Sequence, residues 1–232
     1  MKKAIVTGAS SGLGYQIAKK LVAAGVEVIN LSMTKCDIAK TNIKIDLSKH
    51  NSLMKTIDRL KKEHKDLDLL VCCAGLMQRN YIGKIIPESI DHDFAVNVTS
   101  NIKLTNGLLP ILKKNHADVV IIVSTCAYVA HPETAVYNST KSALSGYVKS
   151  LQLELKQSGD DVRVIGVYPG GFKSQLHIKA KSPLKQKDLM DPSDLAGMLM
   201  ACLAMPRNAQ VSEVIIDRRK VAAKKIRKKK KK

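Results

Sequence analysis

TGASSGLG, residues 7 to 14, follows the apolar run KAIVT (3–7) and opens into GYQIAKKLVAAG (14–25), whose apolar residues recur at helical spacing. A glycine-rich turn thus joins a strand to a helix, and that placement decides the fold. Gly8 permits the tight turn, Gly12 lets backbone approach a pyrophosphate, and Gly14 allows the helix to pack closely on the strand. The helix N-terminus presents free N–H groups and the positive end of its dipole to an anion. The same glycines would suit an ordinary strand-to-helix connection, but the flanking strand and helix favour nucleotide binding.

Outward from this turn, short apolar runs alternate with helical-period segments to the end of the chain. The runs VEVINL (26–31), NIKIDL (42–47), LDLLVCC (67–73), ADVVIIVS (117–124), DVRVIGVYPGG (161–171) and VSEVIID (211–217) read as strands. Helices are expected over 50–64, 88–114, 135–157 and 191–205, the last with Pro192 in its first turn. The alternation predicts an α/β fold: a doubly wound parallel sheet of about seven strands with about six helices on both faces. Too little chain separates VEVINL from NIKIDL for a full crossover, which needs at least ~10 to 12 residues including its helix. An abbreviated second crossover is therefore expected. The 232 residues make one large domain, which buries ~70 to 75% of its unfolded surface.

The formal net charge is +19, but its distribution removes much of the nucleic-acid reading. Residues 218–232, RRKVAAKKIRKKKKK, hold 11 basic residues and no acid, leaving +8 for residues 1–217. The expected organisation is a catalytic domain over 1–217 and a basic, disordered tail over 218–232. Such a tail attracts phosphates nonspecifically; two Phe and no Trp are poor material for base stacking. No specific nucleic-acid partner is expected. No run reaches the length of a membrane span and MKKAIVTGAS has no cleavage-site pattern, so a soluble cytoplasmic protein is expected. The five cysteines (Cys36, Cys72, Cys73, Cys126, Cys202) follow no zinc or disulfide spacing, and the six histidines form no H-E-x-x-H pattern. No metal site is expected.

Two stretches place a lysine four residues after a tyrosine: YQIAK (Tyr15, Lys19) and YNSTK (Tyr137, Lys141). In a helix this spacing puts both side chains on one face. A phenol with a pKa of about 10 transfers protons poorly near neutrality, and a nearby ammonium favours its phenolate. Tyr15 directly follows Gly14, so its pair is expected on a solvated face of the first helix. Tyr137 follows Ser124, which closes an apolar strand at the end where open α/β sheets react.

The glycine spacing, Ser124, and the Tyr137–Lys141 pair together resemble the short-chain dehydrogenase/reductase family, with matching motifs from residue 7 to residue 174. The resemblance implies a single-domain Rossmann fold and an NAD(P)-dependent oxidoreductase. Such an enzyme moves hydride between a nicotinamide cofactor and a carbonyl or secondary alcohol. It implies Tyr137 as general acid and base, Ser124 holding the substrate oxygen, and Lys141 lowering the Tyr137 pKa while holding the ribose. Asn97, in FAVNVTS, would support a proton relay through water. The cofactor-binding set would be Gly8, Ser10, Ser11, Gly12, Leu13, Gly14, Ser32, Lys35, Asp46, Leu47, Cys73, Ala74, Gly75, Asn97, Tyr137, Lys141, Pro169, Gly170, Phe172 and Ser174. Ser174 stands where threonine is usual, and CCAG (72–75) where NNAG is usual. Adjacent strand residues point to opposite faces, so Cys72 and Cys73 cannot easily share a metal, and a disulfide between them would strain the backbone.

After the second strand NLSMTK offers no acid for a ribose 2'-hydroxyl, while Ser32, Thr34 and Lys35 could meet a 2'-phosphate. NADP is expected over NAD. The segment 173–190 is the expected substrate lid; its five lysines and His177 either attract an anionic substrate or form a solvated loop. The alternative function is an idle nucleotide-sensing protein anchored by its tail to nucleic acid or membrane. By resemblance, a homodimer or homotetramer would form through helices 88–114 and 135–157.

Overall fold

The computed structural model describes residues 1–219. Its strands are β1 (Lys3–Thr7), β2 (Glu27–Ser32), β3 (Thr41–Lys44), β4 (Leu69–Cys72), β5 (Asp118–Ile122), β6 (Arg163–Pro169) and β7 (Glu213–Ile216). Between and after them lie α1 (Gly12–Ala23), α2 (His50–Glu63), α3 (Pro87–Phe94), α4 (Ser100–Lys114), α5 (Ala135–Ser158), α6 (Gln175–Lys179) and α7 (Pro192–Leu203). The seven strands form one sheet in the order β3-β2-β1-β4-β5-β6-β7. Every neighbouring pair is parallel. No helix separates β2 from β3, as their short connection requires.

The strand sequences explain the layering. Every residue of β4, β5 and β6 is buried, as a parallel sheet covered on both faces demands. Ile5, Leu70 and Ile121 pack with α2, α4 and α5 on one face, while Val6, Val71 and Val120 pack with α1 and α7 on the other. The order of strands reverses between β1 and β4. A crevice for ligands opens at such a reversal, beyond the carboxyl ends of the strands. At the opposite end, buried Asp118 receives Arg163 at 2.8 and 2.7 Å and Arg207 at 2.7 Å. This ion network ties β5 to β6 and to the chain after α7.

The structure refines the expected elements. β4 ends at Cys72, because Thr7 Oγ1 accepts hydrogen bonds from the N–H groups of Cys73 (2.9 Å) and Ala74 (3.0 Å) and draws the chain toward β1. The helix expected over 88–114 is divided by a π-helical turn, Ala95–Thr99, between α3 and α4. There Ser100 Oγ and Asn101 Nδ2 donate to the carbonyls of Val96 and Asn97, both at 2.7 Å, which favours a locally widened turn. Of the basic tail expected over 218–232, residues 220–232 lie outside the described residues.

Candidate active site

The turn after β1 has the tight conformation that its glycines permit. Gly8 and Gly12 lie at φ +71° and +57°, where side chains are strained. A Cβ on Gly14 would stand 2.3 Å from the Gly8 carbonyl oxygen, and one on Gly8 3.1 Å from Ala74 Cα. Around Gly12 the cradle is open: a Cβ there would meet nothing nearer than Ser174 Cβ at 3.7 Å. Ser11 caps α1 with extended backbone and no side-chain bond, so the N–H groups entering Leu13 and Gly14 remain available to an anion. Ser174, whose Cβ lies against this turn, has its Oγ buried without a protein partner. These features fit the phosphates and nicotinamide end of a dinucleotide.

At the end of β2, three hydroxyls gather. Ser10 Oγ lies 2.8 Å from Ser32 Oγ and accepts from Thr34 Oγ1 at 2.7 Å. Lys35 is exposed beside them. Asp46 closes a local turn, accepting from Ser48 N at 2.9 Å and Ser48 Oγ at 2.7 Å. The Ser48 side-chain bond holds its carboxyl below the ordinary range. Leu47 beside it is buried.

Beyond the ends of β4, β5 and β6, the second group of residues converges. Tyr137 and Lys141 occupy one face of α5 and are only 8% and 4% exposed. Lys141 Nζ lies 5.6 Å from the Tyr137 ring centroid and donates to the Ile122 carbonyl at 3.0 Å. Ser124 follows β5; its Oγ donates to the Pro169 carbonyl at 3.4 Å and accepts from Cys126 N at 3.1 Å. Burial pushes the Tyr137 hydroxyl well above its ordinary value, with Cys126 adding to the rise and a hydrogen bond to Ser124 opposing it. Burial also pulls Lys141 down to about 8, against the influence of Cys73 and Cys126. The expected lowering of the Tyr137 pKa by Lys141 is not seen here: desolvation dominates, Ser124 is the group that opposes it, and the ammonium spends one hydrogen bond on Ile122.

Asn97 sits in the π turn, where it bridges the two regions. Its Oδ1 accepts from Leu76 N at 2.8 Å, and its Nδ2 donates to the Leu76 carbonyl at 2.9 Å and to Thr140 Oγ1 at 3.1 Å. The side chain is a clamp on the backbone beyond β4. A Cβ on Gly75 would stand 3.4 Å from Asn97 Oδ1 and 3.9 Å from Lys141 Nζ, so this stretch borders both. Cys72 and Cys73 pack toward opposite faces of the sheet. Burial pushes each thiol up to about 12, so neither is a thiolate near neutrality. Among the described residues, no group of three His, Cys, Asp or Glu side chains could hold a metal.

After β6, Phe172 bridges to Met190, and backbone bonds from Lys173 to Met190 (2.9 Å) and Met190 to Gly171 (3.2 Å) close the base of the segment 173–190. Gly170 is confined by Asp217, whose Oδ1 would lie 2.3 Å from an added Cβ. Thr7, Cys126 and Thr140 also stand among these residues, in contact with Cys73, Ser124 and Asn97. Thr7, last in β1, and Cys126, two residues beyond Ser124, carried positional signals; Thr140 carried none.

The family model for short chain dehydrogenases matches residues 2–185. The 3-oxoacyl-(acyl-carrier-protein) reductase FabG of Buchnera aphidicola subsp. Schizaphis graminum is 30% identical over 75% of this chain and 75% of its own length. The NADP-dependent 3-hydroxy acid dehydrogenase of Schizosaccharomyces pombe is 28% identical over 93% and 92% of the two chains. Among solved structures, a 3-ketoacyl-(acyl-carrier-protein) reductase from Brucella melitensis, complexed with NADH, superposes with a TM-score of 0.80 at 26% identity, covering 93% of this chain and 96% of that one.

Proposed function

The chain belongs to the short chain dehydrogenase family and is an NAD(P)-dependent oxidoreductase; from that premise we propose Tyr137 as its general acid and base, with Ser124, Lys141 and Asn97 as its partners. The observation that carries this reading is the burial of Tyr137 and Lys141 on one face of α5, with Ser124 acting on the Tyr137 hydroxyl and Lys141 beside Gly75, whose neighbour Ala74 packs on Gly8 of the glycine turn. When bound, the nicotinamide cofactor supplies or takes up the hydride. The Tyr137 hydroxyl gives its proton to the carbonyl oxygen as the alcohol forms and recovers one in the reverse direction. Ser124 Oγ turns its proton from the Pro169 carbonyl to the same oxygen, stabilising its developing charge. Lys141 places an ammonium beside the phenol, and Asn97 fixes the backbone against which both are set. The Asn97 side chain is occupied by Leu76 and Thr140 and its main-chain carbonyl already accepts from Asn101 Nδ2, so a water relay would use the second lone pair of that carbonyl.

For the cofactor, we assign Gly8, Ser11, Gly12, Leu13 and Gly14 to the pyrophosphate, and Pro169, Gly170, Phe172 and Ser174 to the nicotinamide end. Asp46, Leu47, Cys73, Ala74 and Gly75 form the adenosine wall. Ser10, Ser32 and Thr34, with Lys35 nearby, favour NADP over NAD, since three hydroxyls and a cation suit a phosphate better than a free ribose. The proposed substrate is a 3-oxoacyl or 3-hydroxyacyl compound, in keeping with the reactions named for the Buchnera and Schizosaccharomyces relatives. The sensing alternative is not favoured, because it has no use for a proton donor buried beside the cofactor turn.

The catalytic unit is proposed to span residues 1–217 and to act as a dimer or tetramer in the cytoplasm. Leu153, exposed on α5, supports helix-mediated assembly, and five free cysteines suit a reducing compartment. Among the described residues no helix is long and apolar enough to cross a membrane. The test is turnover of ketones and acetoacetyl-CoA with NADPH and with NADH, run beside Tyr137→Phe. NADPH-dependent reduction that is lost in the variant is expected; equal turnover by the variant overturns the assignment.

A further inference from the structure

Asp93 lies on α3, one helical turn before Asn97, with its side chain 1% exposed. Gln78 Nε2 donates to its Oδ1 at 3.2 Å, while Oδ2 is buried with no partner in the protein. Such a group costs stability unless something completes its hydrogen bonds. Asp93 also lines a cavity of about 10 Å³, shared with Gln78, Asn80, Ser89, Glu133 and Val136. That is about the room one water needs, and the walls offer it polar partners. His92 lies near, with Nδ1 4.0 Å from Asp93 Oδ1, as does Glu133, which is engaged by Arg79 at 2.5 Å. Burial raises the Asp93 pKa, with Gln78 and His92 pulling the other way.

The chain beyond β4 is held at successive points. Asn97 clamps Leu76, Asp93 holds Gln78, and Glu133 takes the Arg79 guanidinium and, through its carbonyl, the Asn80 N–H at 2.8 Å. Glu133 itself sits at φ +64°, a left-handed conformation that a non-glycine residue keeps only when its surroundings impose it. Ala135 and Val136, in the first turn of α5, complete the cavity wall directly before Tyr137. Asp93 therefore acts on the segment that faces the start of the tyrosine helix.

We infer that Asp93, with one water in this cavity, is a positioning residue: it fixes residues 76–81 as a wall of the substrate cleft against the turn of α5 that carries Tyr137. This rests on the assignment of Tyr137 as the reacting group. An apolar side chain would fill the same place without an unpaired oxygen, so stability alone does not account for a carboxylate there. Asp93 belongs to the wall and not to the chemistry. Its loss should loosen substrate binding more than turnover.

The test pairs Asp93→Val with Gln78→Leu and their combination. Hydrogen–deuterium exchange over residues 76–81 is measured alongside melting temperature at pH 7 and the kinetics of acetoacetyl-CoA reduction with NADPH. Each single variant should speed exchange in 76–81 roughly five-fold, the equilibrium worth of one ordinary hydrogen bond, and the double variant no further. KM should rise by a similar factor with kcat less affected, while Asp93→Val melts no lower than the parent. Unchanged exchange in both single variants would overturn the inference, as would a melting temperature that falls together with kcat and kcat/KM. A parent protein inert toward acetoacetyl-CoA would count against the proposed substrate alone, and the exchange measurements would still decide the role of Asp93.

Discussion

Tyr15 and Lys19 on α1 and Tyr137 and Lys141 on α5 share one spacing and have opposite surroundings. Tyr15 is half-buried and Lys19 exposed; Asp37 beside the Tyr15 hydroxyl raises its pKa, so no cation assists it. Tyr137 and Lys141 are buried between the ends of β5 and β6 and the clamped segment after β4, with Ser124 as hydroxyl partner. Spacing puts two side chains on one face; the neighbours of that face decide whether it is chemistry or surface.

The largest expected effect that tests this contrast is on turnover. Tyr137→Phe should lower kcat/KM about 10³-fold, within the range for removing a general acid. Ser124→Ala should follow with a loss of about 10²-fold, the lower end for a donor aimed at a developing oxyanion. Steady-state kinetics in the reducing direction checks both, and a loss below ten-fold in either would return Tyr137 to the standing of Tyr15.

Lys141 sharpens the comparison through pH. Its folded pKa is lowered from 10.5 to about 8 by burial, so the folded state holds this proton less tightly than the unfolded chain does. Below about 8 folding carries the cost of a buried ammonium, and the cost is relieved as pH rises from there to 10.5. Lys141→Met should therefore stabilise the fold at pH 7 by about 2 kcal/mol, allowing for the lost bond to Ile122, and the gain should vanish by about pH 10. Melting curves at the two pH values decide it; a gain that persists at high pH points to packing instead. Tyr15→Phe is the smallest effect, with kcat/KM expected within about two-fold of the parent.

The outline of the fold was legible because it follows from local pattern. Apolar runs such as those of β5 and β6 must be covered on both faces, and the glycine turn names the first strand and helix. The nearness of Ser124 to Tyr137 followed from motif order. What could not be read depends on which loops meet across the sheet. Ser10 joins Ser32 and Thr34 only once β2 lies beside β1, and Lys141 reaches Ile122 only through the crossing of α5 over β5. The π turn depends on side-chain bonds from Ser100 and Asn101 that their helical propensity does not reveal. Asp93 left one signal: it precedes Asn97 by four residues, which on a helix places an acid on the face that Asn97 turns inward.

The paired thiols at the end of β4 give the molecule a clock of its own. Cys72 is 1% exposed and carries a thiol with a pKa of about 12, so an alkylating reagent must wait for the centre of the sheet to part. Cys126 and Cys202, half-buried, are expected to be labelled first and mark the start of the count. The delay before Cys72 is labelled measures how often β4 comes free. Lengthening of that delay by NADPH would express cofactor binding as time, with no substrate turned over.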